Sequence, residues 1–141
     1  MKHAQQILFV LLITIFSTLI SCKSTKSNPA DNADAKRVAA QVLAQFEAGE
    51  FSKIYQGAAP IFKQTGPEDK FVAQFQQTLK KTGTFKKQKE PSIETRSGNE
   101  FVVTYHMEND RFNSDLHLTI AKSSGGKFEL AGIHEHDEPK K

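Results

Sequence analysis

The 141-residue chain has one cysteine, no tryptophan and two tyrosines, and its 19 basic against 16 acidic residues leave a net charge of only +3. A single cysteine excludes an intrachain disulfide framework. So small a net charge lacks the electrostatic footprint of a nucleic-acid binder, and none is expected as a partner. No glycine-rich phosphate loop and no serine nucleophile elbow occur, and no cofactor is expected. No internal repeat is visible. Long apolar runs are also scarce: the one at residues 7–16 is isolated, and after Ser21 only 40 of 120 residues are apolar. That share is thin for a globular domain but above the disordered class, and nine of the eleven phenylalanines fall in this part. The length suits one domain.

Residues 1–21 read as an export signal. Lys2 and His3 form a basic start, and the apolar run from Ile7 to Phe16 follows. Ten residues are half of the roughly 20 that a helix needs to cross a ~30 Å hydrocarbon layer. Leu19-Ile20-Ser21-Cys22 follows, with the chain's lone cysteine at its end. This stretch resembles the lipobox of bacterial lipoproteins. The resemblance implies a diacylglyceryl thioether on Cys22, cleavage before it and, in Gram-negative cells, a further acyl chain such as palmitate on the new amine. It implies a membrane anchor in the cell envelope, and Lys23 after the cysteine favours the outer membrane, facing the periplasm. Residues 22–33 are then the lipidated cysteine and a tether, because residues 23–33 hold no large apolar side chain and cannot bury enough surface to stay ordered.

Residues 34–134 carry the domain. Asp34 is a candidate cap for a helix to about Ala48, with Val38, Val42 and Phe46 on one face and Gly49 as its stop. Ser52 caps a short second helix with Phe51, Ile54, Tyr55 and Ala58 inward, and Ile61 and Phe62 pin the connection that follows. Thr65-Gly66-Pro67-Glu68 has the spacing of a capping box for a third helix bearing Phe71, Phe75 and Leu79. Beyond Gly83 the period falls to two. A weak first strand, around residues 85–96, contains Pro91 and several lysines and belongs at an edge or a bulge. Three further strands alternate through Phe101–Met107, Phe112–Ile120 and Phe128–Leu130. The expectation is an α+β fold, two or three N-terminal helices packed on a curved four-stranded antiparallel meander, with residues 135–141 as a charged disordered tail.

This order of helices and turns, with Gly49-Glu50-Phe51, Phe62, Gly83 and a final Lys127-Phe128-Glu129-Leu130-Ala131-Gly132, is similar to small uncharacterised lipoprotein domains. They belong to the cystatin-like or nuclear-transport-factor-2-like superfamily. The resemblance implies a cone, a sheet curled around helices whose mouth can hold a ligand. Members of that superfamily include enzymes as well as binding and dimerising domains, so fold alone does not assign a function.

Reactive side chains are scattered. His134 and His136 share a strand face about 6–7 Å apart if the strand continues, which makes them weak candidates for metal ligands; a solvated tail is the default. A hairpin through residues 108–111 places His106 near Asn113 and His117 near Val102, as surface histidines. Tyr105 lies on the apolar face and is the polar group best placed in a pocket. That face offers no alternating carboxylate, and with Cys22 acylated no free thiol remains, so no catalytic residue is assigned. Lys80, Lys81, Lys86, Lys87 and Lys89 suit protection of a sheet edge better than attraction to an anionic surface, unless Phe85 is exposed among them.

The reading that follows is an envelope lipoprotein with a non-catalytic binding or accessory domain for an envelope partner or a small apolar ligand. The alternatives are a pocket enzyme of the isomerase or dehydratase type and a structural dimer, the latter requiring an apolar outer sheet face. Cys22→Ser is expected to leave the chain unprocessed or soluble. Intact-mass spectrometry of membrane-extracted protein checks this: the mature chain starts at Cys22 and carries acyl mass.

Overall fold

The computed structural model describes residues 28–87 and 89–141; Cys22 and the expected leader of residues 1–21 lie outside them. Four helices, α1 (Pro29–Glu47), α2 (Phe51–Gly57), α3 (Pro60–Lys63) and α4 (Glu68–Thr82), precede five strands. The strands are β1 (Lys86–Lys87), β2 (Ser92–Ser97), β3 (Glu100–Glu108), β4 (Phe112–Lys122) and β5 (Phe128–Pro139). They form one antiparallel sheet in the order β1-β3-β4-β5, with β2 also on β3. The fold is therefore α+β, as the period change implies.

Helix α1 begins five residues before Asp34, so residues 29–33 are helical and not part of a tether. Asn28 is the cap: its side-chain oxygen accepts from the Ala30 amide at 3.1 Å, and Pro29 fills the first helical position. Contacts with the sheet hold this first turn. Lys122 reaches both Asp31 carboxylate oxygens at 2.8 and 2.9 Å, and Thr95 donates to Asn32 at 3.4 Å. Ala35, Ala39, Val42, Leu43 and Phe46 form its buried stripe. At the far end Gly49 takes φ 69°. The Gly49 and Glu50 amides turn back to the Phe46 and Gln45 carbonyls at 3.0 and 2.8 Å, closing the last turn in a Schellman arrangement.

The other caps also differ from expectation. Ser52 lies inside α2, whose cap position is Glu50. Thr65 does not cap α4: its hydroxyl donates to the Phe62 carbonyl at 2.7 Å, closing α3, and Pro67 occupies the α4 cap position. Ile61 is 61% exposed while Phe62 is buried. The Ala59 amide instead ties this connection to β5, bonding the Leu130 carbonyl at 2.8 Å.

The weak first strand is split. Its register on β3 jumps from Lys87↔Met107 to Ser92↔Thr104, a bulge around Pro91, which has no amide proton to give the ladder. In the β3–β4 hairpin, Asn109 accepts from the Arg111 and Phe112 amides at 2.9 and 2.8 Å. This moves the turn one residue later than expected. Glu108 then pairs with Asn113, His106 with Asp115 and Thr104 with His117.

Strand β5 carries the largest departure. Its register passes from Ile120↔Leu130 to Thr119↔Gly132, leaving Ala131 as an extra residue, and pairing continues to Phe112↔Pro139. Residues 135–139 are therefore strand and not a disordered tail. At Gly132 a Cβ would meet Thr119 at 3.3 Å, so glycine permits the close approach at the bulge.

One core fills the space between helices and sheet. Phe46, Phe75, Phe101, Leu116, Leu118 and Leu130 are buried in it, with Phe71 packed at its margin. Phe75 touches Phe46, Phe51 and Phe71 at ring-centroid distances of 5.6, 5.7 and 4.9 Å. Phe75→Ala is expected to cost about 3–5 kcal/mol, a large part of a small domain's stability. The check is a large fall in the urea midpoint.

Candidate functional site

Tyr105 sits on the inner sheet face and is only 2% exposed. Burial, then the charges of Glu90 and Glu47, push its hydroxyl pKa upward, making it a weaker proton donor. A small cavity of about 10 Å³ lies beside Phe46, Leu79, Phe85 and Met107, roughly one water molecule at most. The side chains expected to line a cone fill it instead. A larger cleft of about 400 Å³ lies outside, between α1 and the β4–β5 hairpin. Its rim carries Asp34, Arg37, Lys53, Lys127 and Glu129.

The bulge at Ala131 reverses the faces of β5 relative to a regular strand. Ile133, Glu135 and Asp137 oppose the inward Leu118, Leu116 and Ser114, whereas His134 and His136 oppose His117 and Asp115 on the outside. The inner face thus holds a carboxylate pair that sequence reasoning missed, because the segment was assigned to a tail. Ser114 donates to Glu135 Oε1 at 3.4 Å. Glu135 Oε2 and Asp137 Oδ1 are buried without a hydrogen-bond partner. Burial, followed by the negative charge of Asp137, raises the Glu135 pKa from 4.5 to about 7, against a smaller downward pull from Ser114. A proton on one carboxyl can be donated to its neighbour and relieve both orphan oxygens. Chemically the pair can accept or release a proton near neutral pH. Structurally, inward charges also discourage a second sheet from pairing with the free edge of β5.

No protein-family model matches this chain. No curated protein matches it in sequence. The site therefore stands on its own geometry.

The four described histidines all lie on the outer sheet face. His106 Nδ1 is 2.5 Å from Asp115 Oδ1, rather than near Asn113. His117 Nδ1 is 2.9 Å from Thr104 Oγ1, rather than near Val102. His117 also faces His134, with ring centroids 6.2 Å apart. His136 Nε2 is 3.5 Å from Glu138 Oε1. His134 and His136 do share a face, yet no group of three or more His, Cys, Asp or Glu side chains among the described residues is placed to hold a metal ion. The register is what assembles these rows, and spacing along one strand cannot reveal it.

The remaining candidates are surface features. Lys80, Lys81, Lys86, Lys87 and Lys89 are exposed and Phe85 beneath them is buried, so no apolar side chain anchors that cluster to lipid. Val102, the outer-face apolar residue, is buried by its neighbours, and Ile61 is the exposed large apolar side chain among the described residues. No described helix is long and apolar enough to cross a membrane.

The raised pKa of Glu135 gives a signed prediction. Between pH 4.5 and about 7 the folded state holds a proton that the unfolded state has released. Stability therefore falls as pH rises through this window and levels off above it. The pair is partly solvated, so the effect is about 1–2 kcal/mol, well below the full value of such a shift. Glu135→Gln should flatten this dependence and stabilise the domain at pH 8, measured as urea midpoints at pH 5 and pH 8.

Proposed function

We propose that this chain is a lipid-anchored lipoprotein of the bacterial envelope whose α+β domain is a non-catalytic binding or accessory module for an envelope protein. The anchor is Cys22, and Lys23 favours the outer membrane with the domain in the periplasm. The observation that carries the binding reading is where the space lies: the cavity beside Phe46, Leu79, Phe85 and Met107 holds about 10 Å³, whereas the cleft of about 400 Å³ against α1, within the roughly 300–1,000 Å³ of ordinary ligand pockets, opens on the outside and is rimmed by charged side chains. That charged rim suits a polar protein surface better than a small apolar ligand, which favours engagement of the outside. The uncovered outer sheet face and the polar cleft beside α1 are the surfaces available to it. Among the described residues that sheet face exposes no large apolar side chain, which favours a polar contact over a structural dimer.

A second reading, a pocket enzyme of the isomerase or dehydratase type, draws on Glu135 and Asp137. Their proton affinity suits general acid–base work. Against it, Tyr105 lies two strands away in the same cross-strand row, Tyr105–Leu116–Glu135, about 10 Å off. It cannot act jointly with Glu135 on one small substrate.

The test is crosslinking of the full-length protein in intact envelopes, then fractionation and native mass spectrometry. The expected result is an acylated chain in the outer-membrane fraction with a reproducible protein partner. Turnover in an unbiased metabolite screen that disappears in Glu135→Gln, a variant expected to fold well, would replace this reading with the enzyme.

A further inference from the structure

We propose that the outer sheet face binds a divalent transition-metal ion between His117 of β4 and His134 of β5. The two residues are register partners on adjacent antiparallel strands. Their rings lie nearly parallel, 22° between planes, with centroids 6.2 Å apart. His134 is exposed and His117 half-buried. Imidazole nitrogen suits zinc, copper and nickel. At metal–nitrogen distances of about 2.0–2.1 Å, two ligating nitrogens sit roughly 3–4 Å apart. To share one ion the two facing rings would have to turn about their side-chain torsions until their lone pairs converge, with the His117 ring pivoting about its Thr104 bond.

The next row supplies the orientation that such a ligand needs. Thr104 is the register partner of His117 on its other side, and its Oγ1 lies 2.9 Å from Nδ1. With Nδ1–H donating to that oxygen, Nε2 keeps its lone pair for the ion, and the ring is held in the ligating tautomer. His136 is less available than its spacing from His134 suggests. It approaches Glu138 at 3.5 Å, and its register partner Asp115 is bonded to His106. The ligand pair therefore runs across the strands, not along β5. Two protein ligands leave the other coordination positions to water or to an external donor, so the ion is exchangeable and not a structural element. This inference is independent of the anchor and of the binding role proposed above.

The test follows the histidine ring resonances of the full chain, prepared in detergent without an affinity tag, while Ni²⁺ is added. The rings of His117 and His134 are expected to broaden first and together, saturating at one equivalent. His117→Ala and His134→Ala should each weaken binding at least 10-fold, and Thr104→Val should weaken it about 10-fold through the lost orienting bond. His106→Ala should leave it unchanged. Urea midpoints of the variants separate lost ligation from lost folding. Broadening of His134 together with His136 that survives His117→Ala would overturn the proposal, as would the absence of saturable broadening at either ring.

Discussion

Where α1, α2 and α4 converge, the rings of Phe46, Phe51 and Phe75 touch one another with centroids 5.6–5.7 Å apart, and the rest of the structure depends on that contact. After Ser21 the chain has few apolar residues, and it has no tryptophan, so large aromatic side chains must supply the buried area. A second aromatic group, Tyr55, Phe62 and Phe71, extends the contact to α3. The sheet closes it from below with Phe101, Leu116, Leu118 and Ile120. Small residues Ala35 and Ala39, both fully buried, let the start of α1 approach the sheet closely, while Phe46 fills the space at its other end. The same packing leaves a cavity of only about 10 Å³ beside Phe46 and Phe85, while the larger cleft against α1 opens on the surface.

A single extra residue then decides what that surface presents. Ala131 shifts β5 by one position relative to β4, and every side chain after it changes face. The histidines go outside, where they join His106 and His117. Glu135 and Asp137 go inside, at the free edge of the sheet. An acid pair there is costly to bury, and the raised proton affinity of Glu135 is the measure of that cost. Edge protection explains its presence in physical terms. The outer face gains a row of imidazoles with defined partners, and no helix among the described residues covers it.

The start of α1 and the lysine cluster lie at opposite ends of the sheet. The N-terminal turn of α1 is fastened to the β4 end by Lys122 and to β2 by Thr95. The chain thus enters the fold at the sheet end that carries the β2–β3 and β4–β5 turns. The lysines of α4 and β1 lie with Arg111 and the β3–β4 turn at the opposite end, where Arg111 bonds the Lys81 and Thr82 carbonyls. Those lysines therefore lie at the sheet end away from the start of α1, consistent with edge protection and helix-terminal charge.

The helix faces and the change of period after Gly83 were legible in the sequence, because each depends on residues a few positions apart. The core positions Phe46, Phe75, Phe101 and Leu116 follow from those periods. Caps were less legible: Asn28 displaced Asp34 once Asp31 found Lys122 across the fold, and Thr65 turned back to Phe62 instead of forward into α4. The candidate site was hidden almost entirely. Strand parity places His134 and Glu135 on opposite faces, but which face is inside depends on the bulge at Ala131, and the partner of His117 depends on a hairpin register set by the Asn109 side chain. Alternation along a strand is a local property that the sequence by itself determines. Register between strands is a property of the pair, selected by turns and packing together, and only the tertiary structure decides it.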